Sequence, residues 1–174
     1  MNKEYNSTYS ADEHRYCNYH ENGLQFIRML RKCQYSKGIL HRFYKFLLHR
    51  LELKYGLEIS WKCKIGKGLY LGHAYNITIN ENAEIGENCN IHKGVTIGQL
   101  NRGSHKGAPK IGNYVWIGVN ATIVGNIVVG DDVLIAPGAF INCDIPSHSI
   151  VIGNPCQIHH RENATEGYIN RTIT

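Results

Sequence analysis

The most regular feature of the chain is a six-residue spacing of aliphatic side chains that begins after Gly56. They fall at Ile59, Ile65, Leu71 and Ile77, resume at Ile79, Ile85, Ile91 and Ile97, and resume again at Ile111, Ile117, Ile123, Val129, Ile135 and Ile141. Glycine or another small residue often follows, and a compact or apolar side chain usually stands two positions earlier. This is a hexapeptide repeat. It predicts a parallel β-helix in which each unit makes a short strand and a corner. The aliphatic side chain points inward and stacks on its equivalent about 18 residues further on, so that coils bury together a core no single repeat could bury.

The period slips twice. Two residues are in excess between Ile77 and Ile79, directly after Gly72-His73-Ala74. A wider gap from Ile97 to Ile111 holds "GQLNRGSHKGAPK". Interruptions of a rigid scaffold are where loops and functional side chains project.

Before Gly56 the period is helical. Leu40, Phe43, Tyr44, Leu47, Leu48 and Leu51 make one stripe, expected to cover the core, with His41, Arg42, Lys45, His49 and Arg50 between them. A weaker helical stretch, "GLQFIRMLRKCQ", precedes it, with Gly38 as the expected break. The first fifteen residues carry no pattern and are expected to be frayed. The predicted organisation is a helical segment over 1–56, a β-helix over 57–155 with an insertion loop at 98–110, and a tail over 156–174.

The net charge of +5 changes this picture in one place. Residues 1–56 hold ten Lys/Arg against five Asp/Glu, and the remainder holds nine of each, so the excess lies in the helical segment. A solvated surface is the plainer reading of that basic helix. Attraction to anionic lipid headgroups is the sharper one. No apolar run is long enough to span a membrane and the start is polar, so the expectation is a cytoplasmic protein, at most at the inner face of the membrane. The six cysteines form no C-x-x-C pair and are expected to be reduced, with no zinc or other metal site.

The stretches "KIGKGLYLGHA", "AEIGENCNIHKGVTIG", "PKIGNYVWIGVNATIVGNIVVGDDVLIAPGAF" and "DIPSHSIVIGNP" resemble the hexapeptide-repeat acyltransferases, in particular serine acetyltransferases and polysaccharide O-acetyltransferases. The resemblance implies a mainly β fold, a left-handed parallel β-helix behind a short helical segment. It implies acetyl-CoA as cosubstrate, and a homotrimer with active sites between subunits. By the motif G-x-x-x-x-H-A it places the catalytic base at His73, with an orienting carboxylate fifteen residues earlier at Glu58. Serine-specific members carry Asp there. It also implies coenzyme A contacts at Gly118, Val119, Ala136 and Pro137, with Lys110 a candidate for the phosphates.

The chemistry is coherent on its own terms. A hydroxyl needs a base within hydrogen-bond reach to attack a thioester, and a carboxylate on the second imidazole nitrogen fixes the tautomer and stabilises the imidazolium. His92, with Lys93, lies about one coil above His73 and is a candidate acceptor contact.

Two departures concern the acceptor. Serine acetyltransferases carry an Asp just before the catalytic histidine and an Arg-His pair before "PKI", where this chain has Gly72 and Gly107-Ala108. Losing that charge predicts a wider pocket for a sugar hydroxyl of a capsular, exo- or lipopolysaccharide unit, with Gly72 and Ala108 lining it. The alternatives are a serine acetyltransferase with a rebuilt acceptor site, an antibiotic-inactivating acetyltransferase, and an inactive β-helix serving in binding or assembly. No nucleic-acid partner is expected. The acceptor is a small molecule or glycan.

Overall fold

The computed structural model describes residues 3–17 and 21–173. Three helices, α1 (Lys3–His14), α2 (Asn22–Tyr35) and α3 (Gly38–Tyr55), precede a solenoid of short strands. The first three coils run β1 (Glu58–Ile59), β2 (Lys64–Ile65), β3 (Tyr70–Gly72), β4 (Thr78–Ile79), β5 (Glu84–Ile85), β6 (Asn90–His92), β7 (Thr96–Gly98), β8 (Lys110–Ile111) and β9 (Val115–Ile117). The later strands are β10 (Thr122–Val124), β11 (Val128–Val129), β12 (Val133–Ile135), β13 (Phe140–Ile141), β14 (Ser149–Ile152) and β15 (Gln157–His160). Through β13 every third strand pairs in parallel, and in the last coil β12 pairs with β14. This gives one face of order β1-β4-β7-β10-β13, a second of order β2-β5-β8-β11, and a third of order β3-β6-β9-β12-β14, to which β15 adds antiparallel.

The register stacks like on like. Ile59 pairs Ile79, Ile79 pairs Ile97, Ile97 pairs Ile123 and Ile123 pairs Ile141. On the third face Leu71, Ile91, Ile117, Ile135 and Val151 form the matching column. All of these are buried, and they fuse into one core with the small inward residues Cys63, Ala83, Cys89, Val95, Ala121 and Ala139. Burial pushes the Cys63 thiol to about 11 and the Cys89 thiol to about 12, which makes both inert packing groups.

Two corners repeat a left-handed backbone turn. One column runs Gly68, Asn88, Tyr114, Asp132 and His148, and the other runs Asn76, Gly94, Asn120 and Gly138, all at positive φ. Asn and Gly tolerate that conformation best, which is why they recur at these positions.

The helices differ from expectation in two respects. Lys3–His14, expected to be frayed, forms helix α1, and α1 is anchored. Asp12 and Arg31 are both buried and joined at 2.8 Å. Asp12 accepts from the Leu69 N–H, while Arg31 donates to the Ile65 and Gly66 carbonyls. The pair thus ties α1 and α2 to the first coil. Nothing in the local sequence pattern shows this, because both ends of the tie lie far from Asp12 along the chain. Secondly, the apolar stripe of α3 is only partly inside. Leu48 is buried and Tyr44, Leu47 and Leu51 are half-buried, but Leu40 and Phe43 face out. Gly38 begins α3 rather than merely interrupting, and α3 ends on Gly56, whose left-handed φ of 65° lets its N–H cap the Glu52 carbonyl.

Candidate active site

The slip around His73 has a physical form. On the third and first faces Leu71 pairs Ile91 and Ile79 pairs Ile97. Eight residues therefore separate Leu71 from Ile79, where six separate Ile91 from Ile97. The first coil turns this corner with two residues more than the coil above it. The Gly94 N–H, which begins the regular turn of the second coil, donates to the Tyr75 carbonyl at 3.0 Å, so Asn76 is the true counterpart of Gly94. His73 lies in the excess. It has φ +50° outside both repeating corner columns, and its side chain is exposed. A left-handed histidine costs local strain and persists only where its surroundings over-determine it.

Those surroundings come from the helices. Asn22, the first residue of α2, donates through its side-chain amide to the Ala74 carbonyl at 2.9 Å. At the C-terminus of α3 the Tyr55 carbonyl accepts from the Asn76 N–H at 3.0 Å, and the Tyr55 ring meets Tyr75 edge-on at 5.5 Å. Gly23 lets α2 come against the third face, since a Cβ there would overlap the Leu71 carbonyl, and the Leu71 N–H donates to the Tyr16 hydroxyl at 2.7 Å. The bulge is thus held from two sides by residues that the hexapeptide pattern does not flag. Asn22 and Tyr55 are polar or aromatic residues near helix ends, and no periodic signal marks them.

Glu58 opens β1 beside the same corner. Its N–H donates to the Ile77 carbonyl at 2.8 Å, its side chain is exposed, and it lines an open groove with His49, Glu52, Lys62 and Thr78. No hydrogen bond joins the Glu58 and His73 side chains among the described residues. The pairing is one of corner, not of contact.

Above the bulge the same corner continues as a column. Gly72 pairs His92 in register. The Asn120 N–H donates to the Lys93 carbonyl at 3.0 Å, and the Gly138 N–H to the Val119 carbonyl at 2.9 Å. His73, His92, Lys93, Gly118, Val119, Ala136 and Pro137 are thereby strung along one edge of the prism. Gly118 allows close coil stacking, since a Cβ there would lie 2.6 Å from the Pro137 nitrogen. Lys110 is not on this edge. It is an exposed residue of β8, on the second face. Ala108 is half-buried in the segment entering β8, and the loop before it closes on itself through Leu100 and Gly107 and rests its His105 carbonyl on the Asn126 N–H at 2.9 Å.

His92 has a distinct environment. Its ring lies where the Cβ of any residue larger than glycine at position 72 would go. It packs against Trp116 at 4.8 Å and Tyr70 at 6.4 Å, in a line that continues to Tyr168. Its Nε2 is buried with no hydrogen-bond partner among the described residues. Burial first, and the neighbouring His73 second, push its basicity down, so it is a neutral imidazole at physiological pH.

Residues 108–143 match the family described as "Bacterial transferase hexapeptide (six repeats)". A serine acetyltransferase of Synechococcus elongatus is 34% identical over 117 residues, 67% of this chain and 48% of that protein. One of Helicobacter pylori is 39% identical over 99 residues, covering 57% and 58% of the two chains. Among solved structures, Brucella abortus serine acetyltransferase in complex with coenzyme A superposes with a TM-score of 0.80 at 28% identity, over 92% of this chain and 69% of that one. The Neisseria gonorrhoeae enzyme in complex with serine gives 0.76 at 29% identity, over 90% and 69%. The chain spans about half the length of the curated relatives it matches. Residues 108–143 thus carry the hexapeptide repeat of bacterial transferases, and the fold as a whole, a left-handed β-helix behind N-terminal helices, is similar to that of serine acetyltransferases.

Proposed function

We propose that this protein transfers an acetyl group from acetyl-CoA to a hydroxyl, with His73 as the general base. The observation that carries the reading is the two-residue bulge. A scaffold regular elsewhere at this edge spends its one irregular corner on presenting a histidine, and braces that corner with two helices. The His73 imidazole accepts the proton of the acceptor hydroxyl as its oxygen attacks the thioester carbon. The tetrahedral intermediate then expels the coenzyme A sulfur, and the imidazolium returns the proton to it. Glu58 is the group assigned to the second imidazole nitrogen, and the corner column of Gly118, Val119, Ala136 and Pro137 is assigned to the pantetheine arm. The Brucella relative bound to coenzyme A supports this cosubstrate. The proposed route is direct transfer in a ternary complex; buried, proton-retaining Cys63 and Cys89 are unsuited to an acyl-cysteine step.

For the acceptor we infer L-serine in preference to a sugar. The relatives named above are serine acetyltransferases, and one neighbour holds serine. This reverses the order suggested by the sequence departures at Gly72, Gly107 and Ala108. A sugar hydroxyl remains the second reading on one specific observation. Beside the bulge the wall made of Tyr70, His92 and Trp116 is aromatic, where a small zwitterion calls for charged partners. The assembly is proposed as a homotrimer with sites between subunits.

Release of free coenzyme A from acetyl-CoA, measured with L-serine and in parallel with sugars and nucleotide sugars, tests the reading. Turnover with serine supports it. Turnover with a sugar alone moves the acceptor to the second reading and leaves the base assignment standing. Acetyl transfer undiminished in His73→Ala would overturn that assignment.

A further inference from the structure

Helix α3 has two apolar faces. One, built on Leu48 and Tyr55 with Tyr44 and Leu51 beside them, packs into the protein. The other carries Ile39, Phe43, Phe46 and Leu53, which are 78%, 55%, 59% and 74% exposed. At about 100° per residue these four fall within an arc of about 80°. Leu40, also exposed, widens the patch at its N-terminal end. Arg50 lies inside the arc, and Arg42 and Lys54 lie on its two sides, all exposed. The sole acidic residue of the helix, Glu52, lies on the opposite half and holds His49 at 3.2 Å. The patch is therefore apolar at its centre, basic at its margins and free of carboxylates.

That charge pattern discriminates between occupants. A second copy meeting this face about a two-fold axis, with the helices antiparallel and centred on Phe46, would set Arg42 of each chain against Arg50 of the other. Four guanidinium groups would meet with no carboxylate on the face to separate them. A convex helix with two phenylalanines at its centre and long cationic side chains around them fits the boundary of an anionic bilayer instead. There the rings enter the acyl margin and the arginines reach back to phosphate. Among the described residues no helix is long and apolar enough to cross a membrane, so such contact is peripheral.

We propose that the outward face of α3 docks on an anionic lipid surface through Ile39, Phe43, Phe46 and Leu53, with Arg42 and Arg50 at the headgroups. The proposal is independent of the acetyl-transfer reading. It is tested by flotation of the full chain with phosphatidylcholine vesicles, with and without phosphatidylglycerol. The expected result is binding that requires the anionic lipid and weakens as salt rises. Arg42→Gln with Arg50→Gln should weaken it by about tenfold or more. Phe43→Ser with Phe46→Ser should abolish it while circular dichroism and melting stay those of the parent, since both rings are exposed. Absence of binding to either vesicle overturns the proposal, as does binding that the phenylalanine variants leave unchanged. Concentration-dependent self-association in sedimentation, lost in the phenylalanine variants and without lipid binding, also overturns it and assigns the face to a second copy.

Discussion

His73 and its neighbours show how much rests on individual side chains. His73→Ala is expected to lower kcat by about two to four orders of magnitude, the scale of a lost general base, with the circular dichroism spectrum unchanged. Asn22 touches the bulge only through the Ala74 carbonyl, so it positions rather than reacts. Asn22→Ala should lower kcat by about tenfold by loosening a geometry that tolerates little displacement, and leave the pH of half-maximal activity where it is. A shifted pH profile would instead bring Asn22 into the proton transfer. Gly72→Ala forces the His92 ring from its place against Trp116 and should cost about 1–3 kcal/mol of stability in a thermal melt. These residues divide sharply in legibility. His73 announces itself by breaking a period. Asn22, Tyr55 and Trp116 do not, because their role depends on which distant backbone they meet.

Among the elements, the C-terminal stretch is attached through a carboxylate that also holds a histidine. Strand β15 pairs with β14, and beyond it Asp132 collects the Ala164 N–H at 2.9 Å, the Thr165 N–H at 3.0 Å, the Thr165 hydroxyl at 2.7 Å and His148 at 2.9 Å. Burial pushes the Asp132 carboxyl up, but the hydrogen bonds of Thr165, His148 and Ala164 together outweigh it and hold it below the usual range. The hydrogen bond to Asp132 first, with Glu162 behind it, holds His148 above its ordinary value. The signs set a window. The carboxylate's contribution is present above its unfolded value and fades as acid protonates it in the folded state. The histidine's contribution is present below its unfolded value and fades as pH rises through its raised folded value. Amide exchange at Ala164 and Thr165 should therefore be slowest, relative to the intrinsic rate, in mildly acidic solution, with His148→Gln removing the decline on the alkaline side. At the other end, Asp12→Ala leaves Arg31 buried without its counter-ion and should cost about 3–5 kcal/mol in denaturant melts. The Asp12–Arg31 tie lies outside the hexapeptide repeat and Asp132 occupies one of its corners, but the repeat describes only how coils stack on one another.

For the whole molecule, the repeat and its two ends obey different physics. Between β4 and β13 each coil offers the next the same aliphatic positions, so stability is spread along the prism. Truncating one mid-column residue, Ile117→Ala, should cost about 2–5 kcal/mol in a single cooperative transition. The ends have no neighbour to stack on. The helices pack over the first coil, and on the third face β15 pairs with the outer edge of β14. The same helical cap braces the corner that carries His73, so capping and site construction use one set of contacts. Light scattering should give three times the chain mass of 19.7 kDa if the proposed trimer forms. A mass of one chain that retained full activity would remove the need for sites between subunits.

By itself the sequence determined the parallel β-helix, the inward columns, the two interruptions and the candidate base. A period of six is a local signal, written in side chains that all answer to the same core. Tertiary structure decided the rest. It braced His73 through Asn22 and Tyr55, it put Lys110 on a different face from Gly118 and Pro137, and it ordered α1 by a buried ion pair. It also turned part of the α3 stripe outward, because only one of that helix's two apolar faces finds a surface to cover. Hydrophobic spacing fixes which residues seek burial, but the shape of what is already there fixes which of them obtain it.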